Sequence, residues 1–564
     1  MKHVFACLFY TLAWCVCAQD LQWSNVLSGQ GEETVCGAAS NANGQLAVCG
    51  QFQTTMALGG IQLTNSTGDY NGFVFVFNSS GAVQWHKQFT GQNVECAGPA
   101  IDAVGNVYVL VNRRSGSTFS FNGGTAGNLT WSYPAAFIKF DGAGNLVQFT
   151  QMNSGGMTNA QGAQDYHNLK MEVTPTGEIY ALGHCWALGP ELFTLTGGGT
   201  TITVPQPLDL TPPAPFLLKI ASNGTPLWAK AWTSERTAFM DMGIDETGNA
   251  YVVGSTSYPQ FDYDPSPSMV ANLDIGYGAD AFILKFNPAG GMEWVKQLDA
   301  NSSTATADGI VCAQGNLYLT GNYRGTVDFD PGSATHPLTS ETYMSAFILA
   351  LSTEGAFTWV RQLSGTVSEQ GRTIDVGADG AIYCEGQFSG TLQYEGLPAL
   401  SAASVSDRFY MRIEPSSELK WLTRLPFNNT RGYQYIVSGG SPFVYVIPVV
   451  TEAADIDFGL AEQLVAPVSG AAVYAIIQYG TTAIVGCTDP GAMNHEPTVV
   501  VDNGLCAYAG CTDPEAINYV PTANWNDGSC LYLNPACRSD LNADGVVNVI
   551  DFGIFVSEFN GTCP

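Results

Sequence analysis

One short phrase returns along the chain at intervals of roughly 60 to 70 residues. Its copies are Gly44-Gln-Leu-Ala-Val-Cys-Gly50, Gly105-Asn-Val-Tyr-Val109, Gly177-Glu-Ile-Tyr-Ala-Leu-Gly183, Gly248-Asn-Ala-Tyr-Val-Val-Gly254, Gly315-Asn-Leu-Tyr-Leu-Thr-Gly321 and Gly380-Ala-Ile-Tyr-Cys-Glu-Gly386, with Phe443-Val-Tyr-Val-Ile447 as a degenerate seventh. Such self-similarity constrains the fold more than any single motif does. Each copy must be one supersecondary unit that buries its faces against its neighbours. A second phrase follows each first one, as in Phe73-Val-Phe-Val-Phe77, Ala136-Phe-Ile-Lys-Phe140 and Ala281-Phe-Ile-Leu-Lys-Phe286. After a short turn comes a third, centred on Trp85, Phe149, Trp228, Trp294, Trp359 or Trp421. The runs are β-branched or aromatic, short, and bounded by Asn, Asp, Ser and Gly, which predicts strands joined as hairpins. With the stretch before each first phrase, such as Arg372-Thr-Ile-Asp-Val376, every unit has four strands.

Four-stranded units repeated about seven times predict an all-β chain folded as a seven-bladed β-propeller over residues 19–480, because stacked blades leave no long exposed edge. The period exceeds that of a compact blade, so each unit carries an insertion or long loop. The last unit stops after its third strand at Tyr479, and the mature N-terminus supplies a matching fourth. Leu21-Gln-Trp23-Ser-Asn-Val-Leu27 reads like Thr358-Trp359-Val-Arg-Gln-Leu363. The expectation is therefore a propeller closed by its N-terminal strand. These units resemble the secreted, Bacteroidetes-like bacterial β-propeller repeats across about residues 21 to 480. The Gly-x-x-x-Trp spacing of Gly81 to Trp85, Gly224 to Trp228, Gly290 to Trp294 and Gly355 to Trp359 is similar to the docking motif of pyrroloquinoline-quinone dehydrogenases and outer-membrane assembly propellers. The resemblance implies that these tryptophans lock blades together, in keeping with buried aromatics at a repeated strand position.

Composition narrows the partners. Among 564 residues there are 49 Asp or Glu against 20 Lys or Arg, a formal charge of −29. An excess of carboxylates does not neutralise a run of phosphates, so nucleic acid is excluded as a partner and anionic membranes are repelled. A hydrophobic content of 45% excludes a disordered acidic chain. Residues 1–18 read as a signal peptide, with Lys2, an apolar stretch from Val4 to Val16 and the small-residue site Val16-Cys-Ala18. A lipoprotein would need a small residue where Trp14 precedes Cys15. No later stretch is apolar and long enough for a transmembrane segment. The expected location is secreted, extracellular or on the cell surface, where cysteines favour disulfides.

Within the repeats no catalytic constellation is legible. His86, His167, His184, His336 and His495 share no metal-ligand spacing, and His184-Cys185 is an isolated soft pair. Asp262-Tyr-Asp264, Asp328-Phe-Asp330 and Asp455-Ile-Asp457 fall in equivalent places between second and third strands and are read as solvated turn residues, with calcium ligation as the alternative. The pairing of Cys36, Cys49, Cys96, Cys185, Cys312 and Cys384 does not follow from sequence.

At Gly486 the text changes. Gly486-Cys-Thr-Asp-Pro-Gly-Ala-Met-Asn494 is echoed by Gly510-Cys-Thr-Asp-Pro-Glu-Ala-Ile-Asn518, giving two small repeats at 486–509 and 510–536. The common spacing makes Cys487 with Cys506, and Cys511 with Cys530, the simplest pairing. Loops of that size contribute about 3 kcal/mol in the chain-entropy account, and units with so few aliphatic residues need such staples. The repeats resemble the Cys-Thr-Asp-Pro modules near the ends of secreted Bacteroidetes proteins. A last module, 537–564, carries an EF-hand-type loop. Asp540, Asn542, Asp544, Asn548 and Asp551 stand at positions 1, 3, 5, 9 and 12, Gly545 at the sharp turn, and Val546 offers its carbonyl. Phe552, Phe555, Val556 and Phe559 have helical spacing after it, and Cys537 and Cys563 flank the unit as a further bridge. The loop is similar to a dockerin repeat, which implies calcium as cofactor. Dockerins of the first type carry two such repeats and this chain one, with Val549 and Ile550 where small polar residues face cohesin.

The expected function is a secreted, non-catalytic binding or display protein. Its propeller engages a glycan or a cell-surface protein, and its calcium-stabilised tail serves attachment or assembly, cohesin-like or otherwise. The rival is a secreted polysaccharide-degrading enzyme, a glycoside hydrolase or lyase, or a dockerin-bearing component of a glycan-degrading assembly. A quinone-dependent dehydrogenase is disfavoured by the irregular period.

Overall fold

A computed structural model of the chain describes most of residues 21–486 and, beyond them, 501–502, 508–523, 525–526 and 528–531. Short stretches within 21–486 are outside the description, the longest being 159–168, 206–213, 265–277, 428–434, 456–463 and 466–472. Gln19–Thr482 form one compact unit, and Ala483–Pro564 belong to a second. The described residues are all-β, without a helix.

The three recurrent phrases are the second, third and fourth strands of antiparallel groups. In the first group Glu33–Ser40 pairs with Leu46–Phe52, which pairs with Asn71–Phe77, which pairs with Val83–Gly91. The same meander recurs from residue 94, 170, 237, 304 and 368. The groups beginning at 304 and 368 share one sheet through a single parallel pair, Met344 with Ser368. Middle strands such as Leu46–Phe52, Asn71–Phe77 and Asp280–Phe286 are buried at every residue. They are mostly apolar on both faces because side chains on both faces leave water. A last group is assembled from both ends of the unit. Tyr435–Val437 and Phe443–Ile447 pair in sequence with Val473–Gly480, and the fourth strand is Leu21–Gln30, in register from Leu21 opposite Tyr479 to Leu27 opposite Tyr474.

The extra length of four of the repeats has a definite destination. The hairpin Thr55–Leu58 with Ile61–Thr64 sits between the second and third strands of its own group, yet it pairs with Ser28–Gln30. The hairpin Phe119–Asn122 with Asn128–Trp131 pairs with Thr90–Gly91. Glu191–Gly197 with Thr200–Pro205 pairs with Gln151–Ser154, and Thr391–Tyr394 with Leu400–Ser401 pairs with Leu363–Gly365. In each case a unit's insertion covers the outer edge of the group before it, satisfying backbone groups that an open edge strand would expose.

Between these groups lies a repeated aromatic contact. Gly81, Gly144 and Gly290 occupy tight turns at φ of 79°, 79° and 83°. A Cβ at these positions would stand 2.5, 2.8 and 2.9 Å from the rings of Trp23, Trp85 and Trp228. At these three positions the glycine turn of one unit receives the tryptophan of the preceding one, whereas Gly224 stands against Thr150 and Gln148, and Gly355 against Lys296 first and Trp294 at 3.5 Å. Trp23 donates its indole N–H to the Ser79 carbonyl at 3.1 Å, Trp228 to Pro288 at 3.1 Å and Trp359 to Pro415 at 2.9 Å. Tyrosines of the first phrase repeat the theme, with the Tyr180 hydroxyl on the Gly248 carbonyl and Tyr445 on Gly44, both at 2.6 Å. The Asp-aromatic-Asp phrases are explained by the aromatic. Tyr263 and Phe329 are fully buried in the core, while Asp328 caps the backbone N–H groups of Asp330 and His336.

A second repeated phrase went unread in the sequence: Gly29-x-x-x-Glu33, Gly91-x-x-x-Glu95 and Gly365-x-x-x-Glu369. A Cβ on Gly29 or Gly365 would collide with Oε1 of Glu33 or Glu369, so the glycine makes room for an inward carboxyl. Glu369 is fully buried with neither oxygen hydrogen-bonded among the described residues. Burial pushes its pKa up to about 8, and burial with the neighbouring Glu32 pushes Glu33 up to about 7.

In the second unit Cys511 and Cys530 form a disulfide with Cα atoms 4.7 Å apart. The Asn518 side chain ties that repeat together, donating to the Ser529 carbonyl and accepting from the Leu531 N–H, both at 2.7 Å. Cys487, Cys506, Cys537, Cys563, the loop Asp540–Asp551 and the helical pattern after it lie outside the described residues.

Two expectations follow. Gly290→Ala should cost about 2–4 kcal/mol in denaturant unfolding, because it adds a clash with the Trp228 ring to the left-handed backbone penalty. Gly60→Ala, at φ of 79° with nothing within 4 Å of the added Cβ, should cost only about 1 kcal/mol. For the glutamates, the folded pKa lies above the ordinary 4.5, so the folded state holds protons that the unfolded state releases. That stability is complete below about pH 4.5 and is lost as pH rises through about 8. Glu369→Gln should flatten the fall in melting temperature between about pH 5 and pH 8.5 and raise stability at the upper end by about 2 kcal/mol.

Candidate functional site

The first strand of each group is its innermost. Residues 36–42, 98–103, 169–175, 241–246, 310–314, 373–378 and 435–439, contributed in turn by the seven groups, line a single cavity of about 610 Å³. Its wall mixes small and polar side chains. The first two groups present Gly37, Ala39, Gly98 and Ala100 beside Ser40, Asn41 and Asp102, and the third, fourth and sixth present Lys170, Glu172, Asp241 and Asp375.

Two of these carboxylates tie neighbouring groups together. Asp241 is buried, stands 3.2 Å from the Lys170 ammonium, and accepts the N–H of Met242 at 2.9 Å and of Ile310, in the next group, at 3.1 Å. Asp375 accepts the N–H of Val376 at 2.7 Å and, from the last group, those of Ser438 at 2.6 Å and Gly439 at 3.2 Å. Burial raises both pKa values above the carboxylate range. The Lys170 charge and the N–H donors pull Asp241 back, and the N–H donors then Lys170 do the same for Asp375. Burial acts to lower the pKa of Lys170, but Asp241 chiefly, then Glu172 and Asp375, outweigh it and raise it.

Glu172 differs from these. Its side chain is exposed on the cavity wall. Burial among the surrounding strands, with Asp375 and Asp241 near it, pushes its pKa up to about 8 against the opposing pull of Lys170. It is a carboxyl with a raised affinity for a proton, beside an ammonium and two further carboxyls. Such a wall suits a ligand rich in hydroxyls or carrying a cation. Carboxyls with separated pKa values are also what general acid and base chemistry requires.

Sequence reading passed over these residues because Lys170, Glu172, Asp241 and Asp375 share no motif. The available signal was a polar residue at alternate positions of short strands that are otherwise apolar, as in Lys170-Met-Glu172. Among the described residues no three His, Cys, Asp or Glu side chains are grouped as a metal cage. His184 is buried, and burial pushes its pKa down to about 3 and the Cys185 thiol well up, so this pair is neutral core. The calcium-loop residues Asp540, Asn542, Asp544, Val546, Asn548 and Asp551 lie outside the described residues.

No family model matches the chain. It is similar to an uncharacterised WD repeat-containing protein of Acanthamoeba polyphaga mimivirus, 25% identical over 210 residues, which are 34% of this chain and 15% of that protein. Among solved structures, a Synechocystis apocarotenoid oxygenase mutant is 12% identical at a TM-score of 0.31, covering 73% of this chain and 94% of that one. A cobalt-substituted Synechocystis apocarotenoid oxygenase is 12% identical at a TM-score of 0.30, covering 74% and 96%. Likeness at that level carries no argument about activity. The WD-repeat relative and the strand-only structure with its many sheets fit a β-propeller-like repeat protein.

Proposed function

We propose that this chain is an exported, non-catalytic binding or display protein, built as a seven-bladed β-propeller whose central cavity engages a hydroxyl-rich ligand, a glycan above all. The observation that carries this reading is the convergence of seven innermost strands on one cavity whose wall carries Lys170, Glu172, Asp241 and Asp375. The net charge of −29 favours a neutral or cationic partner over an anionic one. Outward-facing loops remain available for a cell-surface protein. Past residue 536 the oxygen-bearing set Asp540, Asn542, Asp544, Asn548 and Asp551, with the carbonyl of Val546, would hold calcium and stiffen a tail used for attachment or assembly, cohesin-like or otherwise.

The rival reading, a secreted hydrolase or lyase of polysaccharides, draws on Glu172 beside Asp241 and Asp375. One experiment separates the two. Glycans retained on an array by the full chain should be recovered unchanged. Glu172→Gln should weaken their binding about tenfold, the loss of one or two hydrogen bonds, without altering the melting temperature at neutral pH. Release of reducing sugar that disappears in Glu172→Gln would establish the enzyme instead.

For the tail, calcium should protect residues 537–564 from proteolysis, and Asp540→Ala or Asp551→Ala should abolish that protection. Equal cleavage with calcium and with chelator would rule out a metal loop.

A further inference from the structure

We propose that Cys49 and Cys96 form a disulfide joining the first two four-strand groups as the chain matures, a proposal that rests on the export reading only for its cellular setting. Both side chains are fully buried in one apolar cluster that also holds Val74, Val94 and Phe140. They stand on Leu46–Phe52 and Val94–Ile101, neighbouring strands of the first two groups, and both are free thiols in this structure.

Glycines bring the two backbones into range. Gly37 is the pairing partner of Cys49, and a Cβ on it would fall 2.3 Å from Cδ of Pro99 in the second group. Gly72 lies opposite Gln51, and a Cβ there would stand 3.1 Å from the backbone nitrogen of Cys96 and 3.4 Å from its Cβ. Close approach of this kind is what a bridge needs, since bonded cysteines keep their Cα atoms about 4.4–6.8 Å apart. The third thiol nearby, Cys36, donates to the Thr34 carbonyl at 3.8 Å.

The chemistry is ordinary thiol–disulfide exchange. One thiolate attacks an external disulfide, oxidised glutathione or an oxidoreductase, and releases one thiol. The second thiolate then displaces the other half of the mixed disulfide, so that Cys49 and Cys96 lose two electrons and two protons and the oxidant gains them. Burial raises both thiols above their usual range, which leaves little thiolate in the finished fold. The bond therefore forms while the first two groups assemble.

The test is refolding of the reduced full chain in a glutathione buffer set at the poise where Cys511–Cys530 is completely linked. Alkylation under denaturing, non-reducing conditions and peptide mass spectrometry follow. The expected product is a Cys49–Cys96 linked peptide, with two of the six thiols of residues 19–482 closed to the reagent. In Cys96→Ser, Cys49 should become fully alkylated. Complete alkylation of both cysteines at that poise, or linkage of either to Cys36, would overturn the pairing. A bond formed on refolding yet missing from protein recovered outside the producing cells would contradict export and leave the pairing standing.

Discussion

A tryptophan of one unit laid over the glycine turn of the next is the contact on which the rest of this structure depends. At Gly81, Gly144 and Gly290 the turn has a φ near 80° and a methyl group would meet the ring, while under Trp359 the same turn position is Ser417 at φ of 71°. The indole N–H then anchors the pair on a backbone carbonyl. A repeated sequence writes a repeated interface, and stability accumulates from neighbour to neighbour. Trp23 makes this contact with the first group from a strand that belongs to the last. Tyr445 does the same from within the last group. The two ends of Gln19–Thr482 are thus joined by the same chemistry that joins consecutive units, and the hairpin Thr55–Thr64 covers the far side of the joining strand.

The cavity inherits its form from that arrangement. Neighbouring groups hold the innermost strands, and Asp241 and Asp375 complete the restraint by accepting N–H groups from the next unit. These aspartates serve the scaffold first. Glu172 makes no such bridge, which leaves it the side chain most available to a ligand. Loosely constrained polar groups on a rigid wall are where function is expected to reside.

Much of the architecture was legible in sequence because it is periodic. Four strands per unit, the order of the phrases and the match of Trp23 to Trp359 all rest on patterns of residue type. The destination of each insertion was not legible, since Thr55–Thr64 or Glu191–Pro205 finds its partner strand in another unit through tertiary register alone. Nor were the buried glutamates, whose Gly-x-x-x-Glu spacing conveys nothing until the glycine is seen to vacate the space the carboxyl fills. The Asp-aromatic-Asp phrases invited a reading in terms of their acids, whereas Tyr263 and Phe329 between them are what the core requires. Lys170, Glu172, Asp241 and Asp375 come from three separate units and meet only around the cavity.

The account turns on the N-terminal strand being an integral member of the last sheet, and amide hydrogen exchange resolved by residue tests this most directly. Ser24 to Leu27 should exchange as slowly as Tyr474 to Ile477 opposite them, and Trp23→Ala should accelerate both segments together. Fast exchange of Ser24 to Leu27 while Tyr474 to Ile477 stay protected would show that the strand merely leans on a structure that is complete without it.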